Sequence, residues 1–137
     1  MSKLSALLPI VALGLSAPAA AERWQDLGAR HTMTVRIDLD ALKYEGHIMT
    51  YRVEMTYPND PRRAGRRDLS TAKIDCDTGL RQFYEVTSIA ADGTTTTRPG
   101  DRNWRKILSG GTPERVRELY CNAGDWSVAD HAGAPSR

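Results

Sequence analysis

Apolar and polar residues alternate along two neighbouring stretches of the chain. In Met33–Asp38 the apolar positions are 33, 35 and 37, and in residues 47–57 they are 49, 51, 53, 55 and 57. A period of two places these side chains on one face of a half-buried strand. Residues 38–43 lose the alternation and Glu45-Gly46 is typical of a turn. We therefore expect the two strands to pair antiparallel.

Two further strands are predicted beyond a polar loop. Residues 58–67 hold two prolines, one glycine and four arginines, and nothing large and apolar to bury. A strand at 69–76 would then place four residues on one face: Ser70, Ala72, Ile74 and Cys76. After a turn at 77–79, residues 80–91 read as another strand ending at Asp92-Gly93. The polar, β-prone run 94–97 is typical of an exposed edge or hairpin arm, and 99–101 ends it.

The pattern changes to a helical one near the second cysteine. Thr112 is a good N-cap, Pro113 suits the first helical position, and Glu114 favours the positive end of the helix dipole. The helical spacing groups three apolar residues on one face: Val116, Leu119 and Tyr120. The helix would end at 122–124, and we expect residues 123–137 to form a loose tail. The whole pattern predicts an α+β fold in residues 22–122.

Residues 1–21 carry a different pattern. Lys3 precedes a short apolar run, and small residues follow up to Ala19-Ala20-Ala21. This order is typical of a secretory signal peptide, and the apolar run is shorter than the roughly 20 residues that span a bilayer. We predict cleavage after Ala21 and a periplasmic or secreted mature protein. An uncleaved anchor helix is the alternative. No later segment is apolar enough to be transmembrane, and no cysteine lies near the cleavage site for lipidation.

The chain has two cysteines, Cys76 and Cys121. An even count in an exported chain predicts a disulfide, which would tie the helix end to a strand end. A pair of free thiols or two metal ligands are the alternatives, and the wide spacing supports neither. The chain-entropy model gives a stabilisation of roughly 4 kcal/mol for such a bridge.

Charge is nearly balanced, with 19 basic and 17 acidic side chains. The balance and the export signal both argue against a nucleic-acid partner. The conspicuous surface feature is the arginine group of the 58–67 loop, which could contact an anionic partner: Arg62, Arg63, Arg66 and Arg67. A solvated loop is the alternative interpretation. Trp24, Tyr51 and Trp104 are aromatic candidates for contact, with core packing as their alternative.

The histidines offer no recognisable catalytic pattern. His31, His47 and His131 are not accompanied by a Gly-x-Ser-x-Gly turn, a His-x-x-x-His pair or a Cys-x-x-Cys pair. We expect His31 and His47 to be surface residues on strands, and His131 lies in the tail. We predict no enzyme activity, no cofactor and no metal. A small secreted hydrolase or metal-dependent enzyme is the alternative, and it would need His31 or His47 buried beside a carboxylate.

Two pairs of closely spaced aspartates are candidate sites. Asp38 and Asp40 have the spacing that opens a calcium loop, but the glycine and later glutamate of that loop are missing. We expect Asp38 to form a turn or cap a strand. Asp75 and Asp77 flank Cys76 and would point away from its face of the strand. Beside a Thr-Gly turn, solvated carboxylates are the simpler interpretation.

The order of several short motifs resembles the surface-adhesin E-like proteins of Gram-negative bacteria. The resemblance runs from Trp24 to Cys121. It includes Ile37-Asp38, Gly46, Ser70 before Ile74-Asp75-Cys76, Trp104-Arg-Lys-Ile107, Ser109-Gly-Gly-Thr112, Glu114 and Leu119-Tyr-Cys121. It implies an antiparallel sheet of about six strands packed on a C-terminal helix, with the two cysteines joined. It also implies surface display and binding of extracellular host proteins, although no binding segment of that family can be placed on this chain.

These observations lead to one main hypothesis for function. The chain is predicted to be an exported, non-enzymatic module that binds an extracellular or envelope protein or another envelope component. A different hypothesis is an assembly protein, in which an exposed sheet edge around 94–97 pairs two copies into a homodimer.

Overall fold

The computed structural model describes residues 22–30 and 32–121, which form a single antiparallel sheet with one helix. The predicted signal peptide, the predicted tail at 123–137, His31 and His131 lie outside these residues. The elements are β1 (Trp24–Arg30), β2 (Met33–Asp38), β3 (Lys43–Glu45), β4 (Ile48–Thr56), β5 (Arg67–Asp75), β6 (Leu80–Ile89), β7 (Thr95–Pro99), β8 (Arg105–Lys106) and α1 (Thr112–Tyr120). The main strand order is β1-β2-β4-β5-β6-β7, with β3 beside β4 and β8 beside β6. The predicted α+β class is confirmed.

One face of the sheet, called the inner face below, carries the core. On β4 it presents Met49, Tyr51 and Val53, and on β5 it presents Ala72 and Ile74, each at most 5% exposed. The alternation read from the sequence is therefore confirmed on both strands. The predicted antiparallel pairing of the first two strands is confirmed too, because β2 and β4 pair antiparallel. The opposite, outer face is polar.

Helix α1 covers part of the inner face. Its Val116 and Tyr120 join the core, and the predicted disulfide between Cys76 and Cys121 is confirmed, with a Cα–Cα distance of 5.4 Å. The N-cap prediction was wrong by one residue, because Gly111 caps the helix and Thr112 is its first residue. A side chain of the first helical turn binds the segment that precedes the helix. The carboxylate of Glu114 accepts hydrogen bonds from Ser109 Oγ and from the backbone N–H of Gly110.

The strand count and some boundaries differ from the prediction. The main path has six strands, and β3 and β8 bring the described total to eight. The predicted 58–67 loop is shorter than expected, because Arg67 already belongs to β5 and pairs with Thr56. Within the loop, Pro61–Arg63 forms a 3-10 turn capped by the side chain of Asp60. Among residues 22–30 and 32–121, no helix has the length and apolar character needed to cross a bilayer.

Candidate functional site

A cavity of about 660 Å³ opens on the inner face where α1 begins, and it is called the inner cavity below. Its floor consists of Val53, Met55, Ser70, Phe83 and Val86, which come from the three central strands β4, β5 and β6. The volume lies within the range of roughly 300–1,000 Å³ that is typical of small-molecule sites. The inner cavity is therefore large enough for a ligand, and its floor is mainly apolar.

Ser70 is the unusual residue of this floor. It is 2% exposed, and its hydroxyl has no hydrogen-bond partner among the described residues. The register explains this, because Val53 and Val86 lie directly opposite Ser70 on the two neighbouring strands and neither side chain has a polar atom. An unpaired buried polar group costs about 1–3 kcal/mol. The Ser70 hydroxyl is therefore an unpaired polar group packed within the apolar floor.

A bonded polar network forms one wall of the inner cavity. The Tyr57 hydroxyl donates to Asp68 Oδ2 at 2.7 Å, and Arg66 Nε donates to Asp68 Oδ1 at 2.9 Å. Burial by itself raises the pKa of Asp68, but the bonds from Arg66 and Tyr57 outweigh burial and hold the pKa below 3.8. Arg66 also donates to Ser88 Oγ at 3.1 Å. These side chains are fixed by one another, so they give the wall a defined shape.

Gly100 closes another side of the inner cavity through its backbone. Its N–H donates to the Tyr84 carbonyl at 2.9 Å, which draws this segment against β6. A Cβ placed on Gly100 would lie 2.7 Å from the Phe83 carbonyl oxygen, closer than real Cβ contacts allow. Only glycine permits this approach.

The structure separates the four loop arginines that the sequence grouped together. Arg63 and Arg66 line the inner cavity, and Arg63 also lies 4.6 Å from the centre of the Tyr57 ring. Arg67 points to the outer face and donates to Glu54 at 3.1 Å. Arg62 is exposed, and its guanidinium makes no ion pair or hydrogen bond with another described residue. The predicted arginine group is thus split between two faces, and Arg66 and Arg67 are held by the buried carboxylates of Asp68 and Glu54.

Trp24 organises a second cluster on the outer face. Its ring lies 5.4 Å from the Arg36 guanidinium and 5.7 Å from that of Arg52. Arg36 binds the buried Glu54 and Arg52 binds the buried Asp38. Asp38 also caps the turn after β2, as its turn-forming interpretation predicted. Because each of these arginines already has a carboxylate partner, we interpret the cluster as stabilising the sheet.

His47 lies in the turn before β4 and not on a strand as expected, and it is near two carboxylates without a hydrogen bond to either. Its Nε2 is 3.7 Å from Asp75 Oδ2 and its Nδ1 is 3.8 Å from Asp77 Oδ2, and its side chain is 52% exposed. Both distances exceed hydrogen-bond length. The Asp75 carboxylate instead accepts the backbone N–H groups of Asp77 and Thr78 in the turn. The buried histidine–carboxylate pair that the enzyme hypothesis needs is not formed by His47.

The remaining candidates lie apart from one another. Tyr51 is 1% exposed in the core and borders the inner cavity, whereas Trp104 is 41% exposed and outside it. Strand β7 is an edge of the sheet, and all five of its residues are exposed. Within the described ranges, no group of three or more His, Cys, Asp or Glu residues has an arrangement that could hold a metal ion.

The inner cavity is not predictable from the sequence pattern. The alternation of β5 places Ser70 on the inner face, but the valines opposite it come from the register of the neighbouring strands. Comparison with known proteins yields no matching family model, no matching curated protein and no matching solved structure. The resemblance to surface-adhesin E-like proteins therefore stays a prediction.

Proposed function

We propose that this chain is an exported, non-enzymatic binding module that holds the apolar part of an envelope or extracellular component in the inner cavity. The observation that carries the proposal is the mainly apolar floor around the unpaired hydroxyl of Ser70. Ligand sites commonly combine an apolar lining with a few polar groups that fix the ligand's orientation. The Ser70 hydroxyl is the unpaired polar group that lies within this apolar floor.

The test uses N-phenylnaphthylamine, a neutral apolar probe whose fluorescence rises when it leaves water. We expect one probe to bind per mature chain with a Kd of roughly 0.1 mM or tighter, from the affinity per atom usual for ligands of this size. Absence of saturable binding to the mature chain would contradict the proposal.

A pair of tryptophan variants locates the probe. Val86→Trp fills the inner cavity from its floor and should weaken probe binding by roughly tenfold, because the indole occupies the ligand's volume. Thr87→Trp is the matched control, since the next residue of β6 faces the opposite side of the sheet. Circular dichroism checks that both variants fold. Equal loss in both variants, or loss in neither, would place the probe elsewhere.

Self-association through β7 is the weaker proposal. The strand is exposed, but it is only five residues long, and it ends in Arg98 and Pro99. Short length, charge and proline are features that discourage edge pairing. Light scattering tests this point, and a concentration-dependent dimer that Thr96→Pro abolishes would favour assembly as a function.

A further inference from the structure

The polar groups around the inner cavity carry a charge imbalance. Five charged residues line it, and three are positive: Arg63, Arg66, Arg98, Asp68 and Asp101. Their partners determine which charge is available to a ligand. Arg66 and Asp68 neutralise each other within the wall, through two hydrogen bonds of 2.9 and 3.1 Å.

Two of the others are paired with residues outside the cavity. Arg63 lies 3.3 Å from an Asp60 carboxylate oxygen. Asp101 accepts a hydrogen bond from Arg105 Nε at 2.7 Å. In each pair the opposite charge of the partner offsets the charge of the lining residue.

Arg98 is the residue without such a partner. Its guanidinium makes no ion pair and no hydrogen bond with any residue in 22–30 or 32–121, and the residue is exposed. It lies opposite Val86 on the neighbouring strand, so its side chain starts on the inner face. Arg98 therefore places one surplus positive charge at the rim of the inner cavity.

The pairing register of the strands places the charge of Arg98 in line with the floor of the inner cavity. Ser70 pairs with Val86, and Val86 pairs with Arg98, so the three residues form a row across β5, β6 and β7. Two strand spacings put the Cα atoms of Ser70 and Arg98 roughly 10 Å apart. A chain-like ligand can follow this row from the charged rim over Val86 into the apolar floor.

We propose that the natural ligand is an acyl-type amphiphile bearing a single carboxylate, which Arg98 binds at the rim while the chain lies in the inner cavity. This inference rests on the proposed function. A guanidinium presents two parallel N–H donors that match a carboxylate. A doubly charged phosphate would leave one negative charge unmatched, because Arg63 and Arg66 are already bound to carboxylates.

Displacement of N-phenylnaphthylamine provides the test. Decanoate and decanol share a similar chain and differ in charge, so each is titrated against the wild type, Arg98→Gln and Arg62→Gln. Arg62→Gln is the matched control, because Arg62 is also exposed and without an ion-pair partner among the described residues, but it does not line the cavity. The quantity compared is the ratio of the decanoate Kd to the decanol Kd, which cancels general changes in the cavity.

We expect Arg98→Gln to raise this ratio about fivefold, the size of a single exposed ion pair, and Arg62→Gln to leave it unchanged. An unchanged ratio in Arg98→Gln, with the neutral probe still bound, would overturn the inference and leave the proposed function standing. Failure of the neutral probe to bind the wild type would instead overturn the proposed function. Decyl phosphate is expected to bind no more tightly than decanoate, and tighter binding would overturn the assignment of a carboxylate.

Discussion

Breaking the Cys76–Cys121 disulfide should remove a large part of the stability of the domain. The bridge joins the residue after β5 to the residue after α1, and it lies on the side of the core formed by Val116 and Tyr120. The chain has no other cysteine, so a reducing agent acts on this bond alone. Reduction changes no residue of the chain, so the change in the free energy of unfolding reports the loss of the cross-link itself.

The expected magnitude follows from the length of the closed loop. For a sequence separation of 45, the chain-entropy model gives a loss of about 4 kcal/mol at 25 °C. Small domains have a total stability of about 5–15 kcal/mol. Reduction is therefore expected to leave a free energy of unfolding of about 1–11 kcal/mol, and at the lower end an appreciable fraction of the molecules would be unfolded.

Urea denaturation of the oxidised and reduced chains, followed by circular dichroism, measures this difference. We expect a lower midpoint in the reduced chain and a free energy of unfolding lower by about 4 kcal/mol. Because Pro113 of the helix lines the inner cavity, reduction should also weaken binding of the neutral probe. A difference below about 1 kcal/mol would refute the entropic reasoning.

Three further predictions concern single residues. Ser70→Ala should raise the free energy of unfolding by about 1 kcal/mol in urea denaturation, because it removes an unpaired buried hydroxyl, and destabilisation would contradict this account. Arg66→Gln should lower it at neutral pH, because the variant removes both hydrogen bonds from Arg66 to the Asp68 carboxylate. The loss of stability in this variant should become smaller in acid. The pKa of Asp68 is lowered in the folded state, so the stability that this carboxylate contributes is present above pH 3.8 and is lost as the pH falls through the folded-state pKa. A loss of stability that does not depend on pH would contradict this account. Mass spectrometry of exported protein should give Glu22 as the first residue, and a retained Met1 would refute cleavage.

The sequence predicted the elements whose alternation is regular and whose inner face is fully buried. Strand β4 alternates from Met49 to Thr56, and its residues Met49, Tyr51 and Val53 lie in the core. Strand β1 was missed because it is polar and lies at an edge, where only Trp24 and Leu27 are partly covered. A register shift between Asp26 and Gly28 also breaks its period of two.

The candidate site could not be predicted because it depends on register and on distant segments. Val53, Ser70, Val86 and Arg98 are far apart in sequence and become neighbours only through the pairing of four strands. The arginine group shows the opposite case, in which residues close in sequence lie on different faces of the sheet. Four arginines close in sequence were split by the start of β5, since alternate residues of a strand face opposite sides.

The central claim is that the inner cavity binds the apolar part of a ligand. Amide chemical-shift mapping during titration with decanoate tests it most directly, because it reports the position of the ligand on the folded chain. We predict that the largest shifts occur at Ser70, Val86 and Gly100, which border the cavity. Shifts centred on Arg36 and Arg52 of the outer face, or no saturable shifts at all, would contradict the account.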